Sequence, residues 1–249
     1  MKHRFLSRSM VLLLLCGMTF SIPAQARALT QQEIERYQNG PSGGYTGWKT
    51  VNGKQRYLEN GRVQKNRVTP DNVYVDGNGD PITDSGIDAA DMAKRSKNCR
   101  VIVVKKSTHF LELWENSKKK QSYVITSSEK KGDKEISGDM KTPEGEFYVC
   151  VKNPKSKYHL ALGISYPEKE DAERGLKNGI ITQEIYDQIL AALEAGKQPN
   201  WYTGLGGSIE IHGNRQDTDM TRGCIGMRDT DLDILYNSVE VGDKILILA

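Results

Sequence analysis

Two residues near the C-terminal end of the 249-residue chain have the chemistry of a nucleophile and its base. His212 and Cys224 lie twelve positions apart, and each has a glycine beside it, Gly213 and Gly223. A free thiol with a pKa of ~8.5 is a weak nucleophile, and a neighbouring imidazole can activate it near neutral pH. The pattern therefore predicts nucleophilic catalysis by Cys224 with His212 as the activating base.

The two glycines have separate predicted roles. Because Gly223 has no Cβ, the chain can turn sharply there, and its N–H and that of Cys224 can approach a tetrahedral oxyanion. Gly213 allows its carbonyl to approach the imidazole of His212 and to fix its tautomer. Taken singly, each residue also has a plain structural interpretation: a cysteine is commonly a buried apolar residue, and a histidine at a strand end is commonly structural.

The N-terminal segment predicts export from the cytoplasm. Three basic residues precede an apolar run at residues 10–20, and small residues at positions 24 and 26 provide a cleavage site. We therefore expect residues 1–26 to be a signal peptide, the mature form to have no membrane segment, and the protein to be secreted to the cell envelope.

Charge and cysteine content exclude other classes of function. The signal peptide takes away three of 35 basic residues and none of the 32 acidic ones, leaving 32 of each. A neutral chain without a basic stripe does not predict nucleic-acid binding. Three cysteines remain, so at least one is unpaired, and a disulfide between Cys99 and Cys150 is left open. The scattered histidines and the absence of zinc-binding motifs predict no metal and no cofactor.

Composition divides the mature chain into residues 27–97 and 98–249. In the first region, two aromatic-bearing stretches, 47–61 and 72–79, each end in a glycine turn and predict short β-hairpin repeats. They resemble the Gly-Trp repeats of choline-binding and glucan-binding surface proteins. That resemblance implies a cell-wall polymer as ligand, and a plain structural spacer is the alternative.

The second region predicts a mainly β domain with helical insertions. Apolar patterns predict strands at residues 99–105, 110–114, 122–127, 145–152, 208–212 and 244–248. Thr182 is expected to begin a helix that Gly196 ends, and a further helix is expected at 229–239. The strand that ends at His212 is expected to meet Cys224 across a hairpin.

Over about residues 98–249 the chain resembles the L,D-transpeptidase (YkuD) catalytic domain. The resemblance rests on His212-Gly213 followed by TRGCIGM at residues 221–227, and on KTPEGEFY at 141–148. The segment GISYP at 163–167 is similar to one in the YafK-like branch. The resemblance implies an L,D-transpeptidase-like β-sandwich or barrel, peptidoglycan stem peptides as substrates, and carbapenems as inhibitors.

By this resemblance, Cys224 accepts the acyl group, His212 is the general acid and base, and Gly213 supplies the carbonyl partner. The backbone of Arg222, Gly223 and Cys224 would form the oxyanion hole. Many members have histidine where this chain has Arg222, and their His-to-Cys interval is often longer. The arginine could instead attract the terminal carboxylate of the donor peptide.

Tyr158 and His159 are predicted to line the donor groove. The expected reaction converts stem tetrapeptides into cross-links through a Cys224 thioester. With water as the acceptor, the same first step gives an L,D-carboxypeptidase or endopeptidase. A non-catalytic protein that binds the wall through its N-terminal repeats is the alternative from another class.

Overall fold

The computed structural model of the chain describes residues 44–81, 98–116 and 118–249. The expected signal peptide at residues 1–26 and the predicted domain boundary at residue 97 lie outside these ranges. Within the described ranges, no helix is long and apolar enough to span a bilayer.

Short hairpins make up the described part of the first region, as predicted. A three-stranded sheet contains β1 (Gly47–Val51), β2 (Lys54–Glu59) and β3 (Arg62–Val63), and a two-stranded sheet contains β4 (Arg67–Val68) and β5 (Tyr74–Val75). Trp48 and Tyr57 contact each other edge to face, with ring centroids 5.5 Å apart. Tyr74 is buried elsewhere, stacked on His109, so the three aromatic residues do not form one shared surface.

The second region is a closed barrel of eight strands. In chain order these are β6 (Arg100–Lys105), β7 (Phe110–Glu115), β8 (Lys118–Thr126), β9 (Gly145–Asn153), β10 (Ala161–Ile164), β11 (Glu210–His212), β12 (Ile225–Met227) and β13 (Lys244–Leu248). Around the barrel the order is β10-β11-β12-β8-β7-β6-β13-β9. Neighbours are antiparallel except for two parallel pairs, β11 with β12 and β6 with β13. The predicted mainly β fold class is confirmed.

Apolar side chains from most of these strands meet inside the barrel. β13 alternates buried and half-buried residues, whereas β6 is buried along almost its whole length because both of its faces are covered. Among the buried residues of this interior cluster are Ile102, Phe147, Ile211 and Ile225. A helix adds Leu232 and Leu235 to the same cluster.

Three helices lie among the described residues: α1 (Lys169–Lys177), α2 (Gln183–Glu194) and α3 (Asp229–Ser238). Thr182 caps α2, its hydroxyl accepting the N–H of Ile185, and the αL residue Gly196 follows the helix end. Both predicted helices are therefore confirmed, while α1 and the strands β10 and β12 were not predicted.

The pair α1 and α2 has a small core of its own between β10 and β11. Ala172, Ile181, Ile189 and Leu205 are its buried residues. Because β10 and β11 are antiparallel neighbours, this insertion leaves the barrel and returns to it at adjacent positions.

The buried carboxylate of Asp243 joins the parallel strands β6 and β13. Asp243 is fully buried, and its oxygens accept hydrogen bonds from Arg100 and Asn98, both at 2.7 Å, and from the backbone N–H of Glu240 at 2.8 Å. Arg100 has a second, weaker partner in Glu115 at 3.4 Å. Loss of the carboxylate would leave buried donors without their acceptor.

We expect Asp243→Ala to lower the free energy of unfolding by about 3–5 kcal/mol, the usual cost of removing one partner of a buried ion pair. Urea denaturation followed by far-UV circular dichroism measures this. Glu115→Ala is the matched control, since it removes the more exposed partner of the same arginine and should cost less than about 1 kcal/mol. Equal, small losses in the two variants would contradict the assignment.

Candidate active site

The short strands β11 and β12 place His212 and Cys224 on one side of the sheet. In their register Ile211 lies opposite Ile225, and His212 lies opposite Gly226. Ile211 and Ile225 belong to the barrel interior, so the alternate residues face away from it. Cys224, directly before β12, falls on the same side as His212. Because β11 and β12 are parallel, the predicted hairpin between the two residues is wrong.

The imidazole of His212 is buried and is held by two contacts. Its Nδ1 lies 2.7 Å from the carbonyl oxygen of Gly213, and since a carbonyl only accepts, Nδ1 carries the proton and Nε2 the lone pair. The Tyr158 ring stacks on the imidazole with centroids 4.5 Å apart. Burial, partly opposed by the Gly213 hydrogen bond, lowers the pKa of His212. The imidazole is therefore a neutral base near pH 7.

Gly213 occupies a position with no room for a side chain. A Cβ there would lie 2.5 Å from Oδ1 of Asp229 and 2.8 Å from the carbonyl oxygen of Tyr158. The same Asp229 oxygen accepts the backbone N–H of Asn214. A larger residue would displace either that loop anchor or the residue whose ring stacks on His212.

The sulfur of Cys224 is surrounded by protein, although the residue keeps some exposure. Its S–H donates to the carbonyl oxygen of Ser208 at 3.5 Å. Burial raises the pKa of Cys224 to about 11, against a hydrogen bond from the backbone of Glu210, and the charge of the Glu210 carboxylate raises it further. The resting cysteine is therefore a neutral thiol, and a base must remove its proton during any attack.

Gly223 has a backbone conformation that favours glycine, in agreement with the sharp turn predicted there. Its φ is +119°, and a Cβ would lie 2.7 Å from the carbonyl oxygen of Lys141. Its N–H donates to Oγ1 of Thr221 at 3.4 Å, and the Thr221 hydroxyl donates to the carbonyl oxygen of Cys224 at 2.6 Å. The long bond to Gly223 is weak, so a negatively charged oxygen can replace its acceptor.

A cavity of about 410 Å³ is lined by residues that lie near Cys224 and Ser208 in the chain. Arg222, Trp201 and Gly207 are among its lining residues. Gly207 directly precedes Ser208, the acceptor of the thiol hydrogen, and Arg222 lies two positions before Cys224. The volume is in the range of small-ligand sites, and the exposed Arg222 gives its wall a positive charge.

Tyr158 and His159, predicted to line the donor groove, have different side-chain contacts. Tyr158 contacts His212, whereas Nε2 of His159 lies 2.7 Å from Oδ1 of Asp233 on α3. This hydrogen bond raises the pKa of His159. A substrate contact by His159 stays a prediction.

Several residues around the thiol were not identified from the sequence. Glu210 lies two positions before His212 on one strand, so period-two alternation could have placed both on one face. Thr221 belongs to the quoted motif, but its hydroxyl contact follows from the fold. Ser208, with a φ of +54°, and Trp201 lie in an irregular segment without a periodic signal.

Two other thiols, Cys99 and Cys150, lie among the described residues. Cys99 and Cys150 are both free, so the disulfide left open by the sequence is not formed. Burial raises the pKa of Cys150 to about 12. Over the residues that the structure describes, no cluster of three or more His, Cys, Asp or Glu side chains could hold a metal ion.

Several solved structures are similar to part of this chain. The helical cell shape determining protein Pgp2 from Campylobacter jejuni is 25% identical, with a TM-score of 0.42, over 59% of this chain and 46% of its own. Bd1075 from Bdellovibrio bacteriovorus is 22% identical, with a TM-score of 0.41, over 62% and 49%. An L,D-transpeptidase from Mycobacterium smegmatis is 12% identical, with a TM-score of 0.37, over 60% and 58%.

This chain therefore spans only about half of the length of these proteins. No curated protein matches it. The model of the YkuD family, described as the L,D-transpeptidase catalytic domain, matches residues 100–247. That range includes both residues of the predicted catalytic pair. It also includes the whole barrel except the final residue of β13. The chain belongs to the L,D-transpeptidase (YkuD) family.

Proposed function

We propose that this protein is a secreted peptidoglycan L,D-transpeptidase that joins stem peptides through a thioester on Cys224. One observation carries the proposal: the register of adjacent parallel strands places His212 and Cys224 on the same side of the sheet. Membership of the family supports a reaction on the peptides of the cell wall. Residues 1–26 direct export, and residues 98–249 form the catalytic domain.

In the first half-reaction, the thiol of Cys224 attacks the carbonyl carbon of the L-centre of the third stem residue. The thiol hydrogen leaves the Ser208 carbonyl and passes to Nε2 of His212 as the S–C bond forms. The N–H groups of Gly223 and Cys224 donate to the oxyanion. The C–N bond to the terminal D-alanine then breaks, and the imidazolium protonates the departing amine.

Because the Cys224 thiol and the His212 imidazole are both neutral at rest, charge develops on them only during the reaction. Burial acts on both partners, since it raises the pKa of the Cys224 thiol and lowers that of the His212 imidazole. A thiolate and an imidazolium therefore form together and only as the substrate reacts. The Gly213 carbonyl, which accepts the Nδ1 proton, stabilises the imidazolium at that moment.

In the second half-reaction, a side-chain amine from another stem attacks the thioester. His212 accepts a proton from this amine and returns it to the sulfur, which leaves a new amide bond and a neutral thiol. Water in place of the amine releases a tripeptide stem, so hydrolysis is the alternative outcome of the same intermediate. Arg222, exposed at the cavity wall, binds the terminal carboxylate of the donor peptide.

A carbapenem should acylate Cys224, because opening of its lactam ring follows the first half-reaction and adds the whole mass of the drug. Intact-protein mass spectrometry measures the adduct. We expect no adduct with Cys224→Ala and acylation about 10²–10⁴-fold slower with His212→Ala, the usual contribution of a general base. Cys99→Ala is the matched control and should react like the wild type. A folded wild-type protein without an adduct would contradict the proposal.

The rate of Cys224 alkylation by iodoacetamide should increase about tenfold per pH unit between about pH 7 and pH 10, because only the thiolate reacts and its fraction increases until the pH reaches the pKa. Burial raises that pKa to about 11. Cys224→Ser gives the background from the other thiols. A plateau below about pH 8 would instead indicate a preformed thiolate and imidazolium pair.

Products formed from a disaccharide-tetrapeptide distinguish the two acceptors. We expect mass spectrometry to detect D-alanine release and a cross-linked dimer when acceptor stems are supplied. Tripeptide release without any dimer would assign the protein to the hydrolytic alternative. Arg222→Ala should raise KM for the tetrapeptide about tenfold, within the range for a lost charge-assisted hydrogen bond, and should leave KM unchanged for a donor with an amidated C-terminus.

A further inference from the structure

The active-site loop, residues 213–223, connects His212 to Cys224 and contains no helix or strand. Its two ends are held by the barrel: the Gly213 N–H donates to Leu160 and the Thr221 N–H to Ser127, at 3.3 and 3.2 Å. The middle of the loop has a second set of contacts, and these come from the N-terminal region.

The docked hairpin, residues 67–75, contains β4, β5 and the turn between them, and it binds the middle of the active-site loop. Arg67 donates to Oδ2 of Asp217 at 2.6 Å, and the Val68 N–H donates to the Asp217 carbonyl oxygen. Arg67 also forms an isolated β-bridge with Thr218. One residue of the hairpin therefore contacts two consecutive loop residues.

Two further contacts extend this interface in both directions along the loop. Arg215 donates to Oδ1 of Asn72 at 2.8 Å and to the carbonyl oxygen of Val124 in β8 at 2.7 Å. The Tyr74 hydroxyl donates to Oδ2 of Asp219 at 3.4 Å. The hairpin and the barrel thus both contact the loop.

These contacts connect to the nucleophile over a short stretch of chain. The second oxygen of Asp219 accepts the N–H of Ser127 at 2.7 Å, and the carbonyl of Ser127 accepts the N–H of Thr221. The hydroxyl of Thr221 in turn donates to the Cys224 carbonyl. A displacement of residues 217–219 therefore reaches the backbone N–H groups beside the sulfur.

We propose that the docked hairpin is a positioning element of the active site, in which Arg67 and Tyr74 fix the active-site loop and hence the oxyanion-binding backbone of Gly223 and Cys224. Its role in acylation rests on the proposed function, whereas its role in loop order does not. An irregular loop has little stability of its own and takes its order from its contacts. Small displacements of catalytic groups are costly, up to about a hundredfold in rate for about 1 Å.

Hydrogen exchange of peptides within residues 214–223 tests the role in loop order. Arg67→Ala and Asp217→Ala should each speed exchange there about tenfold, and the double variant should exchange no faster than the faster single variant, because both remove one interaction. Lys54→Ala is the matched control. It removes an ion pair of the same region, with Asp80 at 2.9 Å, and should leave the loop unchanged.

Unchanged exchange in both single variants would overturn the proposal, as would purely additive effects in the double variant. Tyr74→Phe removes one hydroxyl without emptying its buried position, so it tests the same loop if Arg67→Ala fails to fold. Its exchange should increase at residues 218–223 about threefold, in line with loss of a weak hydrogen bond, and unchanged exchange there would count against the proposal.

Carbapenem acylation tests the consequence for the chemistry. Arg67→Ala should lower the limiting rate of acylation about tenfold, an effect of loop misplacement, with the half-saturating drug concentration unchanged, and Arg67→Lys should restore part of the rate. A wild-type rate in Arg67→Ala would overturn the positioning role. If the wild-type protein forms no adduct, the proposed function fails, and the exchange data still decide whether the hairpin orders the loop.

Discussion

β11 and β12 are parallel neighbours of three residues each, and a tight turn cannot join parallel strands because the chain must first return to the starting end. In many proteins a helix makes this return. Here the irregular residues 213–223 do so, which leaves few hydrogen bonds within the connection itself. The parallel pairing of β11 with β12 thus creates a segment that other parts of the molecule must hold. Tyr158, Ser127 and the docked hairpin all contact that segment or its ends.

Burial favours the neutral form of both His212 and Cys224, although it shifts their pKa values in opposite directions. Burial disfavours the charged form of each group, which is the thiolate of Cys224 and the imidazolium of His212. The resting site therefore contains two neutral groups, and Nδ1 of His212 already has its proton committed to Gly213. A neutral thiol is also a poor target for oxidants compared with a thiolate. The site combines low resting reactivity with a base that is ready to accept a proton.

Local sequence patterns predicted most strands of the barrel, and they placed His212 at the end of a strand. The buried run of β6, the alternation in β13 and the Thr182 cap of α2 are short-range signals, and the structure agrees with them. β12 was missed because Ile225–Met227 is too short to show a period, and no local pattern encodes parallel pairing with a strand fourteen residues away. The contact of Ser208 with the thiol and the position of Trp201 at the cavity likewise depend on how distant segments pack.

For the region before the barrel, the sequence likewise predicted local structure and not contacts with distant residues. Its aromatic residues and glycine turns predicted hairpins correctly, but the pattern did not indicate that Tyr74 would be buried on His109 or that Arg67 would pair with Asp217, 150 positions further along. Side chains that suggested a ligand surface in the sequence are partly used for contacts within the chain.

The insertion between β10 and β11 has a consequence for how this fold can diversify. Since α1 and α2 bury their own apolar residues and enter and leave at neighbouring strands, lengthening or replacing them costs the barrel little chain entropy. The C-terminal end of the insertion nevertheless supplies Trp201 and Gly207 to the cavity wall. The insertion can therefore change the cavity wall through Trp201 and Gly207 without altering β11 and β12, the strands that position His212 and Cys224.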